Sequence, residues 1–405
     1  MKKILWISHE AGRTGAPAVV LGLMQWLKQQ DSRIQMTCVV MRDGPLRGDF
    51  EQICRTYTWK PTDLNQPERI HRRLAKVITA RGQSDPGQWL TAILEKEEAD
   101  IIYLSTLVLG KYLQQFPRRN NQRIITHVHE LLPSLRQLSS DHLVDLQLNL
   151  SDRVICCAPC VQEMLMHTYK LSADKCCVIP EYIMPGESSS ELKKKESPFD
   201  RASDGQGFLQ TLSKALDQGI PVFGVGGNPI HRKGFDLLPL LVHECQRQFG
   251  DAPFLAVWIG CGEGSEARIG LEWDLTQMGL MDQVLLIPSV SMQTFRWIVS
   301  HFQVLTLLSR EDPFPLVVLE AGLLGIPTVC FEGSGAIPSF AANEECVSVR
   351  YLDVPAFAAA IHQLCMNPLE ARRIGAHMKA RIERDLLIEK VAPQVVSVLL
   401  EAWDG

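Results

Sequence analysis

The stretch FQVLTLLSREDPFPLVVLEAGLLGIPTVCF, residues 302–331, decides the fold class. An apolar run ends near Leu308, a polar loop of Ser309 to Phe314 follows, and a helix can open at Pro315, where proline's missing N–H costs nothing. Gly325 and Pro327 stop that helix, and the next apolar run closes on Phe331. Strand, helix and strand in so short a span form a parallel crossover, the unit of α/β folds. Two carboxylates stand out in this apolar setting. Asp312 lies in the loop at a strand's carboxyl end and Glu320 in the second helical turn, and neither has an obvious partner inside the segment. Something elsewhere in the chain must satisfy them.

The same alternation extends in both directions. Upstream, strands are predicted at Ile4 to Ser8, Met36 to Val40, Ile101 to Leu104, Ile124 to Val128, Val154 to Cys157 and Cys177 to Ile179, each followed by a turn or an amphipathic segment. The polar stretch PGESSSELKKKESPFDRASDGQ, residues 185–206, lacks any apolar period and reads as an exposed linker. Beyond it the pattern restarts with IPVFGVGG, APFLAVWIG and QVLLIP, and after the opening stretch ends with CVSVRYL. The fold class is therefore α/β, with two doubly wound domains at 1–184 and 207–385, and a last amphipathic helix at 386–405. A chain of 405 residues, 46% of them hydrophobic, suits that division at a prior of about 150 residues per domain.

Charge narrows the partners. A net charge of −5 offers no basic field for a nucleic-acid backbone. The residues before the linker carry about four more basic than acidic groups and the rest about nine more acidic than basic, so the first half would suit an anionic acceptor or a membrane surface. MKKILWISHEAG has too short an apolar run for a secretory signal or a membrane span, and reads as a first strand in a cytoplasmic protein. Of the twelve cysteines, no C-x-x-C pair is matched by a second, and adjacent ones point to opposite strand faces. They are read as reduced and buried, and no metal site is assigned.

The chemistry gathers at two places in the second half. The amides of Leu316, Val317 and Val318 open a helix and make an anion site. Glu320 can accept hydrogen bonds from a vicinal diol such as a ribose, and Asp312 can hold the hydroxyls of a sugar lying beyond the phosphates. The alternative is that Asp312 caps the helix and Glu320 pairs with a core arginine. In FGVGGNPIHRKGFDLL, residues 223–238, a strand runs out through Gly226 and Gly227, and Arg232 and Lys233 precede a helix opening at Gly234. Two cations there can neutralise a diphosphate, while Pro229 stands where a dinucleotide fingerprint needs glycine or alanine. Surface charge is the competing reading of Arg232 and Lys233.

RKGFDLL followed by SREDPFPLVVLEAGLLGIPTV resembles the family 4 glycosyltransferases. Their fold, GT-B, is two Rossmann-like domains facing across a cleft that takes a nucleotide-sugar donor. Asp312 and Glu320 match that family's acidic pair separated by seven residues. The resemblance implies Glu320 on the ribose, Asp312 on the donor sugar, and the backbone of Phe314, Leu316 and Val317 with Arg232 and Lys233 around the phosphates. SHEAGRTGAPAVVLGLMQWL looks like the family's glycine loop and first helix, with Gly15 at the cleft. IITHVHELLP resembles the segment carrying a histidine beside the donor sugar; His129 is the better match, and His127 reads as a core histidine. Gly227 stands where the family commonly has an arginine, and Pro315 where it has a glycine.

The resemblance implies retention at the anomeric carbon, through phosphate clamps and without a covalent nucleophile. No Asp-x-Asp pair is present to hold a divalent ion, so activity is expected to be metal-independent, with no cofactor beyond the donor substrate. The acceptor class is a glycan, a lipid-linked molecule or a small molecule, and bacterial surface polysaccharide or glycolipid assembly is the commonest role among similar proteins, which extends the expected cytoplasmic location to the inner face of the membrane. A nucleotide-sugar epimerase, a phosphorylase and a non-catalytic binding subunit are the rivals.

Overall fold

The structure, a computed structural model, describes residues 2–30, 34–60, 85–195 and 205–404. It divides into two compact units, Met1–Glu181 with Val391–Gly405, and Tyr182–Lys390. The first holds β1 (Lys2–Ser8), β2 (Ile34–Val40), β3 (Arg55–Thr58), β4 (Ile101–Leu104), β5 (Arg123–Val128), β6 (Arg153–Cys156) and β7 (Cys176–Val178). They pair in the order β3-β2-β1-β4-β5-β6-β7, all parallel. Continuous apolar runs make these strands because helices cover both faces of a parallel sheet, and Leu5, Trp6 and Ile7 have no exposed surface. β3 lies outside the expected set. As an edge strand it is only partly covered, so Arg55–Thr58 carries no apolar run to announce it.

The second unit holds β8 (Val222–Gly226), β9 (Leu255–Ile259), β10 (Val284–Ile287), β11 (Val304–Leu307), β12 (Thr328–Phe331) and β13 (Val347–Val349). Their order is β10-β9-β8-β11-β12-β13, again all parallel. Phe223 stacks on Phe249 and Phe254, with ring centroids 6.4 and 5.6 Å away, and Phe235 meets Trp258 edge-on at 4.9 Å. In each sheet the strand order reverses beside the first strand, between β1 and β4 and between β8 and β11. Loops leaving the carboxyl ends of those strands flank a crevice, the usual ligand position in open α/β sheets.

Three boundaries differ from the sequence reading. The described part of 185–206 is not simply linker: Ser189–Lys194 is a helix with Leu192 buried, and another helix already starts at Gly205. Its cause is a capping box, in which the Ser188 hydroxyl accepts from the Glu191 amide while the Glu191 carboxylate takes the Ser188 amide. Residues 196–204 of that stretch, and 61–84 of the weakly matched Tyr57–Trp89 region, lie outside the described residues. Second, no helix opens at Gly234. The residue has φ +71°, so two short 3-10 turns, His231–Lys233 and Phe235–Leu237, precede the helix Leu238–Phe249. Third, the last helix runs Ile388–Asp404, and from Val391 onward it belongs to the first unit.

All twelve cysteines are free. Among the described residues no helix is long and apolar enough to cross a membrane.

Candidate functional site

In the second unit the crevice between β8 and β11 is bounded by Gly227–Lys233 and by Leu308–Pro315. Main-chain bonds join the two loops, since the amides of Arg310 and Glu311 both donate to the Arg232 carbonyl, at 2.8 and 3.3 Å. The Arg310 guanidinium adds a two-pronged bond to Asp236 at 2.7 and 2.8 Å. Gly234 makes this approach possible: a Cβ there would lie 2.0 Å from the Leu308 carbonyl oxygen, besides the strain of its positive φ. A third loop is tied in through the Asp312 amide, which donates to the Ser334 carbonyl at 2.6 Å.

The two acids flagged by the sequence do find partners. Asp312, 7% exposed, forms an ion pair with Lys233 and accepts from the Ser309 hydroxyl at 3.4 Å. Glu320, 8% exposed, takes Arg296 from the helix Met292–Ser300 in a fork, Nε at 2.5 Å from one oxygen and Nη2 at 3.2 Å from the other. Burial raises the Glu320 pKa, and Arg296 opposes the shift by favouring the charged form. The arginine pairing offered as the alternative for Glu320 is therefore present, and the two bonds from Arg296 leave further acceptor positions on the carboxylate. The capping alternative fails for Asp312, because the helix Leu316–Leu323 is preceded by Pro315 with no side-chain cap.

Several expectations need correction. Lys233 is not a free phosphate clamp: its ammonium is engaged by Asp312, although an ammonium has three donors and one bond does not exhaust it. The Arg232 guanidinium points back to the Glu311 carbonyl at 3.3 Å. The helix begins at Leu316 rather than Pro315, and the Val318 amide is already used by the Pro315 carbonyl at 3.1 Å, which leaves those of Leu316 and Val317 at the helix start. Gly226 serves packing rather than ligand approach, since a Cβ there would lie 2.4 Å from the Phe295 ring. Gly227 has φ +153° and nothing within 4 Å of where a Cβ would stand. Phe314 is buried edge-on against Phe340 at 6.1 Å.

In the first unit, the loop after β1 is organised by Glu10, which the sequence reading missed. The residue is 5% exposed, and its carboxylate pairs with Arg42 and accepts from the Thr14 hydroxyl at 2.8 Å. Gly15 starts the helix Gly15–Gln30 with open space around it. His127 is a core residue on β5, with Nδ1 2.6 Å from the Tyr103 hydroxyl; burial, then the neighbouring His129, lowers its pKa. His129 lies just past the strand, and its Nδ1 contacts Glu181. Burial works against a charged His129 ring, but Glu181 and Glu130 outweigh it and raise the pKa.

Glu10, Arg42, Tyr103, Glu181 and Arg296 escaped the sequence because their partners are distant in the chain. His129 and Glu181 are 52 residues apart and Arg296 and Glu320 are 24 apart, and only sheet order and helix packing bring them together.

Comparison with known proteins adds to this geometry. The family described as "Glycosyl transferases group 1" matches residues 213–381, and "Glycosyltransferase Family 4" matches residues 14–183. A 2-deoxystreptamine N-acetyl-D-glucosaminyltransferase from Niallia circulans is 22% identical over 172 residues, a match spanning 42% of this chain and 43% of that relative. Sucrose-phosphate synthase from Thermosynechococcus elongatus superposes with a TM-score of 0.74 at 18% identity, over 100% of both chains. Anabaena HepE in complex with UDP-glucose gives 0.73 at 18% identity, over 99% of this chain and 100% of that one. Identities this low establish a common fold.

Proposed function

The chain belongs to the family 4-type glycosyltransferases of GT-B fold, and we propose that it moves a hexosyl unit from a nucleotide-sugar donor to a glycan, glycolipid or small-molecule acceptor. One arrangement carries the reading: Asp312 and Glu320, seven residues between them, flank a crevice at the strand-order reversal that also has Lys233 and the amides of Leu316 and Val317. A donor diphosphate would rest on those amides and on Lys233, which can keep one N–H on Asp312 while giving others to phosphate oxygens. Glu320 would accept from the ribose hydroxyls and Asp312 from the sugar. His129 is assigned a hydrogen bond to the transferred sugar.

In the proposed reaction the bond from the anomeric carbon to phosphate breaks with its electron pair going to the diphosphate. The acceptor oxygen bonds to the same carbon on the face the nucleotide leaves, and its proton passes to the departing phosphate. The stereochemistry is retained, and charge stabilisation of the leaving group supplies the catalysis. The cations and amides take the place of a divalent ion. HepE, solved with UDP-glucose, supports the nucleotide-sugar class of donor. A cytoplasmic location, where twelve thiols stay reduced, goes with this reading.

Titration calorimetry with UDP, GDP and ADP, followed by donor hydrolysis assays with UDP-, GDP- and ADP-sugars, tests it. The expected result is heat with one nucleotide and slow release of sugar from the matching donor. No heat at millimolar concentration with any of the three would favour a non-catalytic subunit.

A further inference from the structure

We propose that His127, His129 and Glu181 form a binding site for one divalent transition-metal ion, with zinc the best match to the ligand set. His127 lies on β5 and His129 one residue past its end, two positions on, and their rings lie 4.1 Å apart, centroid to centroid. Glu181 reaches the pair from the segment after β7. One ligand atom from each of the three lies within 4.8 Å of the others, the only such cluster of ligand-type side chains among the described residues. Ligands of a tetrahedral zinc ion are separated by roughly 3–3.5 Å, so modest side-chain movement closes the set.

A second, independent observation points the same way. His127 Nε2, His129 Nε2 and Glu181 Oε2 are all buried and have no hydrogen-bond partner. Folded proteins leave few such atoms, and three in one cluster, all of zinc-binding type, call for an occupant. The outer contacts suit the role. Tyr103 sits 2.6 Å from His127 Nδ1, and a proton donated from that nitrogen to the Tyr103 oxygen leaves the Nε2 lone pair free for a metal. Two imidazoles and one carboxylate make a three-ligand set that leaves a fourth position for water.

The site goes beyond the proposed reaction, which uses no metal. A bound ion would engage His129 and keep it from the sugar, so occupancy would inhibit; that consequence, unlike binding itself, rests on the role proposed for His129.

The test uses the full chain, stripped with chelator and titrated with Co²⁺ while visible absorbance is read, then with Zn²⁺ as competitor. One Co²⁺ per chain is expected, with weak ligand-field bands of a nitrogen and oxygen site, displaced by one equivalent of Zn²⁺. His127→Gln and Glu181→Gln should each weaken binding at least about tenfold, and Tyr103→Phe, which keeps all three ligands, by about 10- to 100-fold. Absence of a band in the wild-type chain at millimolar Co²⁺ overturns the proposal. So does binding that persists in correctly folded His127→Gln and Glu181→Gln chains, or an intense thiolate charge-transfer band that assigns the ion to cysteines.

Discussion

Arg296 grips Glu320 through two nitrogens and two oxygens, although the two residues sit on different helices, Met292–Ser300 and Leu316–Leu323. Arg296 is itself held against the chain at Met184, whose carbonyl accepts from Nη2 at 3.5 Å, and at Gly186, where a Cβ would lie 2.7 Å from Nη1. A buried carboxylate deprived of its cation is left uncompensated, so Arg296→Met should destabilise the second unit by about 3–5 kcal/mol. Urea denaturation measures this, and the double change Arg296→Met with Glu320→Gln should recover much of the loss. A loss under about 1 kcal/mol for the single variant would mean that Glu320 does not depend on Arg296.

The two acids should separate in a kinetic comparison. Glu320→Gln is expected to weaken nucleotide binding by about tenfold or more, through loss of a charged acceptor. Asp312→Asn should lower turnover by about a hundredfold with a smaller change in nucleotide affinity, since the sugar is its proposed partner in the reaction. Calorimetry with nucleotide and steady-state kinetics with donor distinguish the two. Equal, negligible effects would remove both assignments.

Gly234 and Gly15 make a contrasting pair. Gly234→Ala forces a Cβ against the Leu308 carbonyl at a positive φ, so it should cost more than about 1 kcal/mol and also weaken nucleotide binding by displacing the Arg232–Lys233 turn. Gly15→Ala meets nothing within 4 Å and should leave thermal stability within about 0.5 kcal/mol of the parent. Thermal melts with and without nucleotide report both effects.

Activity should survive removal of divalent ions. Turnover in EDTA is expected to equal or exceed that in untreated enzyme, because in the proposed reaction Lys233 and main-chain amides stabilise the leaving group. Loss of turnover in EDTA with recovery on adding Mn²⁺ would contradict the metal-free reaction.

His9 should draw stability from the fold on acidification below neutral pH. Burial, then Arg42, His129 and Lys111, lowers its pKa to about 4 from an ordinary 6.5. Below 6.5 the unfolded chain therefore binds a proton that the folded chain refuses until about pH 4, and stability drains away across that window. His127, also lowered, acts in the same direction; His129, raised, contributes stability below its unfolded pKa and loses it as pH rises through the folded one. Chemical denaturation at about pH 7 and pH 5 should show a smaller difference for His9→Gln than for the parent.

Much of this was legible in the sequence, and the rest was hidden for physical reasons. Buried parallel strands announce themselves as unbroken apolar runs, which is why twelve of the strands could be anticipated from runs such as ILWIS and VLTL, while the half-covered edge strand Arg55–Thr58 could not. The capping box at Ser188 and Glu191 was present in the letters but masked by the surrounding Ser and Lys. Asp312 and Glu320 could be singled out because charge in an apolar run is costly. Their actual partners could not, because Lys233 lies 79 positions away from Asp312 and no local rule joins them. His127 looked inert for a similar reason: only Glu181, arriving from beyond β7, turns an alternating pair of histidines into a cluster.

The knot of loops around Arg232, Arg310, Asp312 and Ser334 is tied largely by peptide groups. Peptide groups are indifferent to which side chain they carry. Mutational drift can therefore swap the outward-facing residues of these loops while the frame that presents them keeps its shape. Only Gly234 and Gly335, whose missing Cβ atoms let the strands of the knot touch, are denied that freedom.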